Sequence, residues 1–126
     1  MLGIIGAMDE EVAKIKEQLD FVQVERRAAM DFYKGTLGGK EVVVVRSGIG
    51  KVNAAMCTQI LADVYHVEAV VNTGIAGSLK DEIDIGDIVL SEDAVQHDMD
   101  ATGFGYQPGQ IPKSGCVCIS GRSAPD

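Results

Sequence analysis

Apolar residues fall along this chain in short unbroken runs separated by helix-like and turn-like intervals. Leu2–Gly6 is such a run, closed by Gly6-Ala7, and reads as a buried strand. Asp9-Glu10-Glu11 then opens a helix, with acids in the first turn where the macrodipole favours them, and Val12, Ile15 and Leu19 share one face of it. Phe21–Arg27 and Asp31–Thr36 read as strands, and Gly38-Gly39 supplies a hairpin-type turn. Val42-Val43-Val44-Val45 is unbroken and β-branched, the pattern of a strand covered on both faces. It stops at Ser47-Gly48-Ile49-Gly50-Lys51. A helix over about Val52–Tyr65 follows, with Val52, Met56, Ile60 and Val64 at four-residue steps. Ala69–Asn72 and Asp87–Val95 complete the predicted strands.

The order β-α-β-β-β-α-β-loop-β predicts an α/β fold with a largely parallel, buried sheet. Ligands of such sheets sit beyond the carboxyl ends of the strands. Three of those ends carry glycine-rich or small-residue loops: Gly6-Ala7-Met8, Ser47-Gly48-Ile49-Gly50 and Thr73-Gly74-Ile75-Ala76-Gly77. Each could be no more than a tight turn, but two such loops on adjacent strand ends make a stronger case for a shared, backbone-lined pocket than either makes alone. After Pro112 the periodicity is lost, and residues 113–126 carry two of the three cysteines.

Composition narrows the functions without choosing one. The 126 residues are 46% hydrophobic and 24% charged, as in an ordinary globular domain. A net charge of -8 argues against a nucleic-acid backbone as partner. No apolar run reaches the roughly 20 residues of a membrane span. The start, MLGIIGAMDEEV, lacks the basic and small-residue features of a signal peptide, so a cytoplasmic location is expected. The odd set of Cys57, Cys116 and Cys118 agrees with a reducing compartment.

The candidate chemistry is sparse. Glu11 is placed to act as a general base toward water if its surroundings are partly desolvated, but from the pattern alone an ordinary first-turn acid serving the helix dipole is the favoured reading. Ser47–Lys51 has neither P-loop nor GxGxxG spacing, so it is a weak phosphate signal. Cys116-x-Cys118 has no nearby histidine, and in His97-Asp98-Met99-Asp100 a strand would point the best ligands to opposite faces, so no metal is expected. Phe104-Gly105-Tyr106 is an aromatic pair in a loop, suited to an interface, to ring stacking or to capping the core.

Together, Gly3–Val12, Ser47–Ala55, Asn72–Gly77, Gly86–Val89, His97–Asp100 and Phe104–Tyr106 resemble, in order and spacing, the 5′-methylthioadenosine/S-adenosylhomocysteine nucleosidase family of the purine nucleoside phosphorylase superfamily. The resemblance covers residues 2 to about 112 and corresponds to the family's N-terminal half. It implies a three-layer α/β/α fold with a mixed, largely parallel sheet, truncated after the first half. It also implies a homodimer when full length, and hydrolysis of the two thionucleosides with water as nucleophile and no cofactor. On this reading Glu11 is the carboxylate that positions or activates water. Met8, Ile49, Ile75, Ala76 and Gly77 line the substrate pocket. Ala101, Phe104, Tyr106 and Pro112 reach the partner subunit's pocket. Ile75 departs from the Ser or Thr of many members, whose hydroxyl orients the catalytic acid. That acid, an Asp, belongs to the family's second half, with the ribose-binding Met-Glu pair and the base-stacking Phe.

Two other readings compete. A purine or uridine phosphorylase would want an arginine-bearing phosphate loop, whereas Gly6–Glu10 offers acids that repel phosphate. A non-catalytic nucleoside-binding or dimerisation piece would expose a sheet edge and core face and tend to aggregate. The tail has an explanation of its own. One base inserted after the Ser114 codon turns a family-like Ser-Asp-Val-Phe-Ala-Phe-Gln-Ala-Asp into Ser-Gly-Cys-Val-Cys-Ile-Ser-Gly-Arg, which is Ser114–Arg122. Residues 1–113 are thus expected to be nucleosidase domain and 114–126 a frameshifted tail. Source DNA should show an open, family-like frame in the +1 register past codon 126; the lack of one refutes the frameshift.

Overall fold

The computed structural model describes residues 1–113 and, as backbone alone, Ile119–Ser120. The frameshift reading falls on residues 114–126, which otherwise lie outside the described residues. The chain divides into two units, Met1–Gly77 and Ser78–Asp126.

The first unit contains strands β1 (Leu2–Gly6), β2 (Asp20–Arg27), β3 (Met30–Leu37), β4 (Lys40–Arg46) and β5 (Ala69–Asn72), with helices α1 (Asp9–Glu17) and α2 (Lys51–Asp63). The sheet order is β2-β3-β4-β1-β5. β1 runs parallel to β4 and β5, while β2–β3 and β3–β4 are antiparallel, so the expected mixed sheet is present with its pairings evenly split.

The valine run of β4 explains the layering. Val43 and Val45 join Ile5, Phe32, Cys57, Leu61 and Tyr65 in one core under α2. Val42 and Val44 join Ile4, Val12 and Leu19 in a second core under α1. One helix therefore covers each face of the sheet, the three-layer arrangement the resemblance implied. Each fully buried aliphatic or aromatic side chain here contributes about 1.5–3 kcal/mol of transfer free energy.

Two details of the helices differ from the periodic pattern. α1 ends at Glu17, so Leu19 reaches its core from just beyond the helix. α2 buries Cys57 and Leu61, whereas Val52 is 82% and Met56 39% exposed. Its apolar positions lie on more than one face, and Gly3, with no side chain, is where Leu61 packs down onto β1.

The second unit has few paired strands. The expected strand Asp87–Val95 is not formed; only Asp93–Ala94 (β6) pairs, antiparallel to Ile119–Ser120 (β7). Ile88, Val89 and Leu90 are 90%, 64% and 88% exposed. A strand is stabilised by its ladder, and no strand pairs with residues 87–92 among the described residues. A single turn of 3-10 helix spans Thr102–Phe104. Among the described residues no helix is long and apolar enough to cross a membrane.

Both two-residue hairpin turns need positive φ at their central positions. Gly38 and Gly39 (φ 56° and 82°) meet this freely, but the β2–β3 turn uses Ala28 and Ala29 at 50° and 61°. A Cβ in that region costs about 1–2 kcal/mol, partly offset by the chain entropy a glycine loses on folding. Ala29→Gly should therefore raise stability by about 0.5–1 kcal/mol in urea unfolding, and an unchanged or lower midpoint would contradict this.

Candidate active site

The site is built where β1 hands the chain to α1. Met8, in extended conformation, is the N-cap, and Glu11 stands at the third helical position. Glu11 Oε2 accepts the Ala7 N–H at 2.7 Å and the Met8 N–H at 3.0 Å. The Met8 contact is the return half of a capping box, so the helix-start reading of Glu11 holds in part. The same carboxylate also reaches across the sheet: Oε1 accepts the Ile75 N–H, 64 residues away, at 3.4 Å. These amides hold the Glu11 pKa below the ordinary glutamate range, the Met8 bond most strongly, with desolvation working against them. The group is an anion at neutral pH: a hydrogen-bond acceptor for water and a source of fixed negative charge.

Backbone bonds tie the neighbouring loops to this point. The Ser47 N–H donates to Gly6 O at 2.9 Å, and the Thr73 N–H to Ile5 O at 2.8 Å. Ser47 is buried, and its Oγ donates to Gly48 O at 2.8 Å. Gly48 and Gly50 have φ of 85° and 99°, which only glycine adopts without strain, and Asn53 Nδ2 holds Ile49 O at 2.8 Å. Arg46 closes the rim by pairing with Asp9 at 3.3 Å. Gly6 lets the helix lie close to the strand, since a Cβ there would stand 2.6 Å from Val12 Cγ1.

A family model described as "Phosphorylase superfamily" matches residues 1–123. The chain belongs to the phosphorylase superfamily. Within that superfamily it is 49% identical, over 90% of its length, to the 5′-methylthioadenosine/S-adenosylhomocysteine nucleosidase of Staphylococcus haemolyticus. It superposes with TM-score 0.91 on the nucleosidase of that name from Colwellia psychrerythraea in complex with adenine, at 46% identity, covering 94% of this chain and 49% of that one. It also superposes with TM-score 0.87 on futalosine hydrolase of Helicobacter pylori, at 35% identity, covering 94% and 51% of the two chains. The chain spans about half the length of the curated relatives it matches: 50% of the Staphylococcus haemolyticus protein.

In this superfamily member, the first unit brings Glu11, Met8, Ile49, Ile75, Ala76 and Gly77 to the carboxyl ends of three adjacent strands, β4, β1 and β5. Ile49 and Ile75 are 75% and 86% exposed, so it is their main chains that are engaged. The other four predicted residues belong to the second unit. Ala101 is buried and its carbonyl accepts the Phe104 N–H at 2.9 Å, Phe104 is 88% exposed, Tyr106 is half-buried and Pro112 is exposed. Asp100 caps this turn by accepting the Thr102 N–H and Oγ–H at 3.0 and 2.6 Å. His97 and Asp98 lie in a turn, so strand alternation does not govern where they point. Among the described residues no group of three or more His, Cys, Asp or Glu could hold a metal ion.

Reasoning from side-chain chemistry missed the Ala7 amide and the Asp9–Arg46 pair. The first is a backbone group, and the second joins residues 37 positions apart. The depressed Glu11 pKa stabilises the fold above the unfolded-state glutamate value, and that contribution is lost as pH falls through the folded value. The stability advantage over Glu11→Gln should therefore be largest near neutral pH and shrink on acidification below the ordinary glutamate range. A pH-independent difference in urea unfolding would contradict this.

Proposed function

We propose that the domain begun by this chain hydrolyses the N-glycosidic bond of 5′-methylthioadenosine and S-adenosylhomocysteine, releasing adenine. One observation carries the choice of water over phosphate. In an α/β sheet, the amides at the start of the first helix are the natural seat of a phosphate. Here the Glu11 carboxylate already occupies the Ala7 and Met8 amides. A phosphate brought to that point meets an anion in place of free donors. A neutral water meets a hydrogen-bond acceptor.

The chemistry follows from that charge. The glycosidic bond breaks with its electron pair leaving on the base, positive charge builds at the sugar carbon, and the water oxygen bonds to that carbon. Glu11 orients the water, stabilises the developing cation and takes up the water's proton. The leaving purine is protonated by the Asp that the family resemblance puts in the second half of the domain. Met8, Ile49, Ile75, Ala76 and Gly77 form the floor and walls beneath the nucleoside. The thionucleoside substrate rests on the names of the nucleosidase relatives.

The active assembly is a homodimer, in which Ala101, Phe104, Tyr106 and Pro112 cover the partner's alkylthio group. The exposed apolar stripe Ile49, Val52 and Met56 supports a second copy as neighbour. The reaction belongs to methionine salvage in the cytoplasm, and the buried free thiol of Cys57 suits that reducing compartment.

The test is residues 1–113 continued by the second half of the Staphylococcus haemolyticus relative. It should release adenine from methylthioadenosine at a rate independent of added phosphate, with a phosphate-free sugar product. Phosphate-dependent turnover or a sugar 1-phosphate would overturn the proposal. Residues 1–126 alone should be far slower, and adenine release by them at the rate of the completed chain would contradict this. In the completed chain Glu11→Gln should lower kcat by about 100-fold or more, and an unchanged kcat removes Glu11 from the mechanism.

A further inference from the structure

The two oxygens of the Glu11 carboxylate are unequally engaged. Oε2 is filled by two short amide bonds, from Ala7 at 2.7 Å and Met8 at 3.0 Å. Among the described residues Oε1 accepts one long bond, from the Ile75 amide at 3.4 Å. Oε1 is therefore the oxygen with acceptor capacity left for water.

What holds Oε1 in place is the peptide after β5. Gly74 lies against it so closely that a Cβ would stand 2.8 Å from Oε1 and 3.3 Å from Cδ. Gly74 is not among the glycines of positive φ, so no left-handed backbone demands glycine there. The need for glycine here is one of space beside the carboxylate. Gly77, three residues on, has nothing within 4 Å of its Cβ position and is free of that demand.

We propose that the Gly74–Ile75 peptide is a positioning element for the proposed reaction: it presses on and bonds to Oε1 of Glu11, and so fixes the direction in which this oxygen meets the attacking water. The proposal rests on Glu11 being the water-side carboxylate. Its mechanical core, the coupling of position 74–75 to the Glu11 charge, stands apart from any activity. The Ile75 side chain is 86% exposed, so its contribution is made by its N–H, and a hydroxyl at that position is not needed for it.

The coupling dictates how the variants behave. In Gly74→Ala the added methyl displaces Oε1 and lengthens or breaks the Ile75 bond, removing one of the amide contacts that favour the anion. Ile75→Pro deletes the same N–H with no added atoms at position 74. Both variants should raise the Glu11 pKa, whereas Gly77→Ala should leave it unchanged.

The experiment is a carboxyl-detected NMR titration of Glu11 in residues 1–126 and in the completed chain, with kinetics on the latter. We expect an upward shift in Gly74→Ala and Ile75→Pro, a matching rise of the acid limb of the kcat profile, and a kcat loss of about tenfold or more with KM little changed. A Glu11 titration that matches wild type in whichever of the two variants folds overturns the proposal. If the titration moves but no variant, nor wild type, releases adenine, the positioning element stands and the nucleosidase reading falls. A Glu11 titration shifted in Gly77→Ala as far as in Gly74→Ala would also overturn it, since a Cβ at Gly77 has nothing within 4 Å through which to move Oε1.

Discussion

Everything in the first unit hangs on the pairing of β1 with β4. Ile4 and Ile5 of β1 lie beside Val44 and Val45 of β4 in parallel register, and successive residues point to opposite faces. A pair of strands this apolar on both sides is stable only with both faces covered, so one helix must lie on each. α1 follows β1 directly and takes one face. α2 follows β4 and takes the other. With the faces closed, the strand ends are where the backbone is free to meet a ligand.

That constraint accounts for the site. Because β1 is central, its carboxyl end is flanked by the ends of β4 and β5. The loops leaving them are stitched to β1 by main-chain bonds from Ser47 and Thr73. The Glu11 carboxylate is drawn into that junction, and its amide partners come from both the β1 loop and the β5 loop. A carboxylate so held is ionised at neutral pH and tethered by amides from two loops. It is suited to orienting water and to opposing a nearby cation, and it fills a helix N-terminus that would otherwise attract an anion.

The second unit obeys the same physics with the opposite result. Ile88, Val89 and Leu90 have the composition of a strand but lie exposed, and among the described residues 93–94 pair only with 119–120. Alternating or continuous apolar pattern announces that a segment will be a strand once it has a neighbour. It does not supply the neighbour. The chain spans about half the length of its curated relatives, and this is the part of the fold where a pattern outruns its partners.

The sequence by itself determined the strands and helices of the first unit to within a few residues. Their apolar runs, the Gly38-Gly39 turn and the acidic start of α1 are local signals, read through propensity and period. It also marked the loops that gather at the carboxyl ends of β1, β4 and β5, because small residues at strand ends are legible as such. Only the tertiary structure decided the bonding of Glu11. As a residue it is an ordinary first-turn acid, and its bond to the Ile75 amide joins segments whose distance in space no local pattern encodes. The even split of parallel and antiparallel pairings, the face of α2 that is buried and the bare space Glu11 needs at Gly74 were decided in the same way. Each depends on which elements become neighbours, and that is settled by packing the whole sheet rather than by any one stretch of chain.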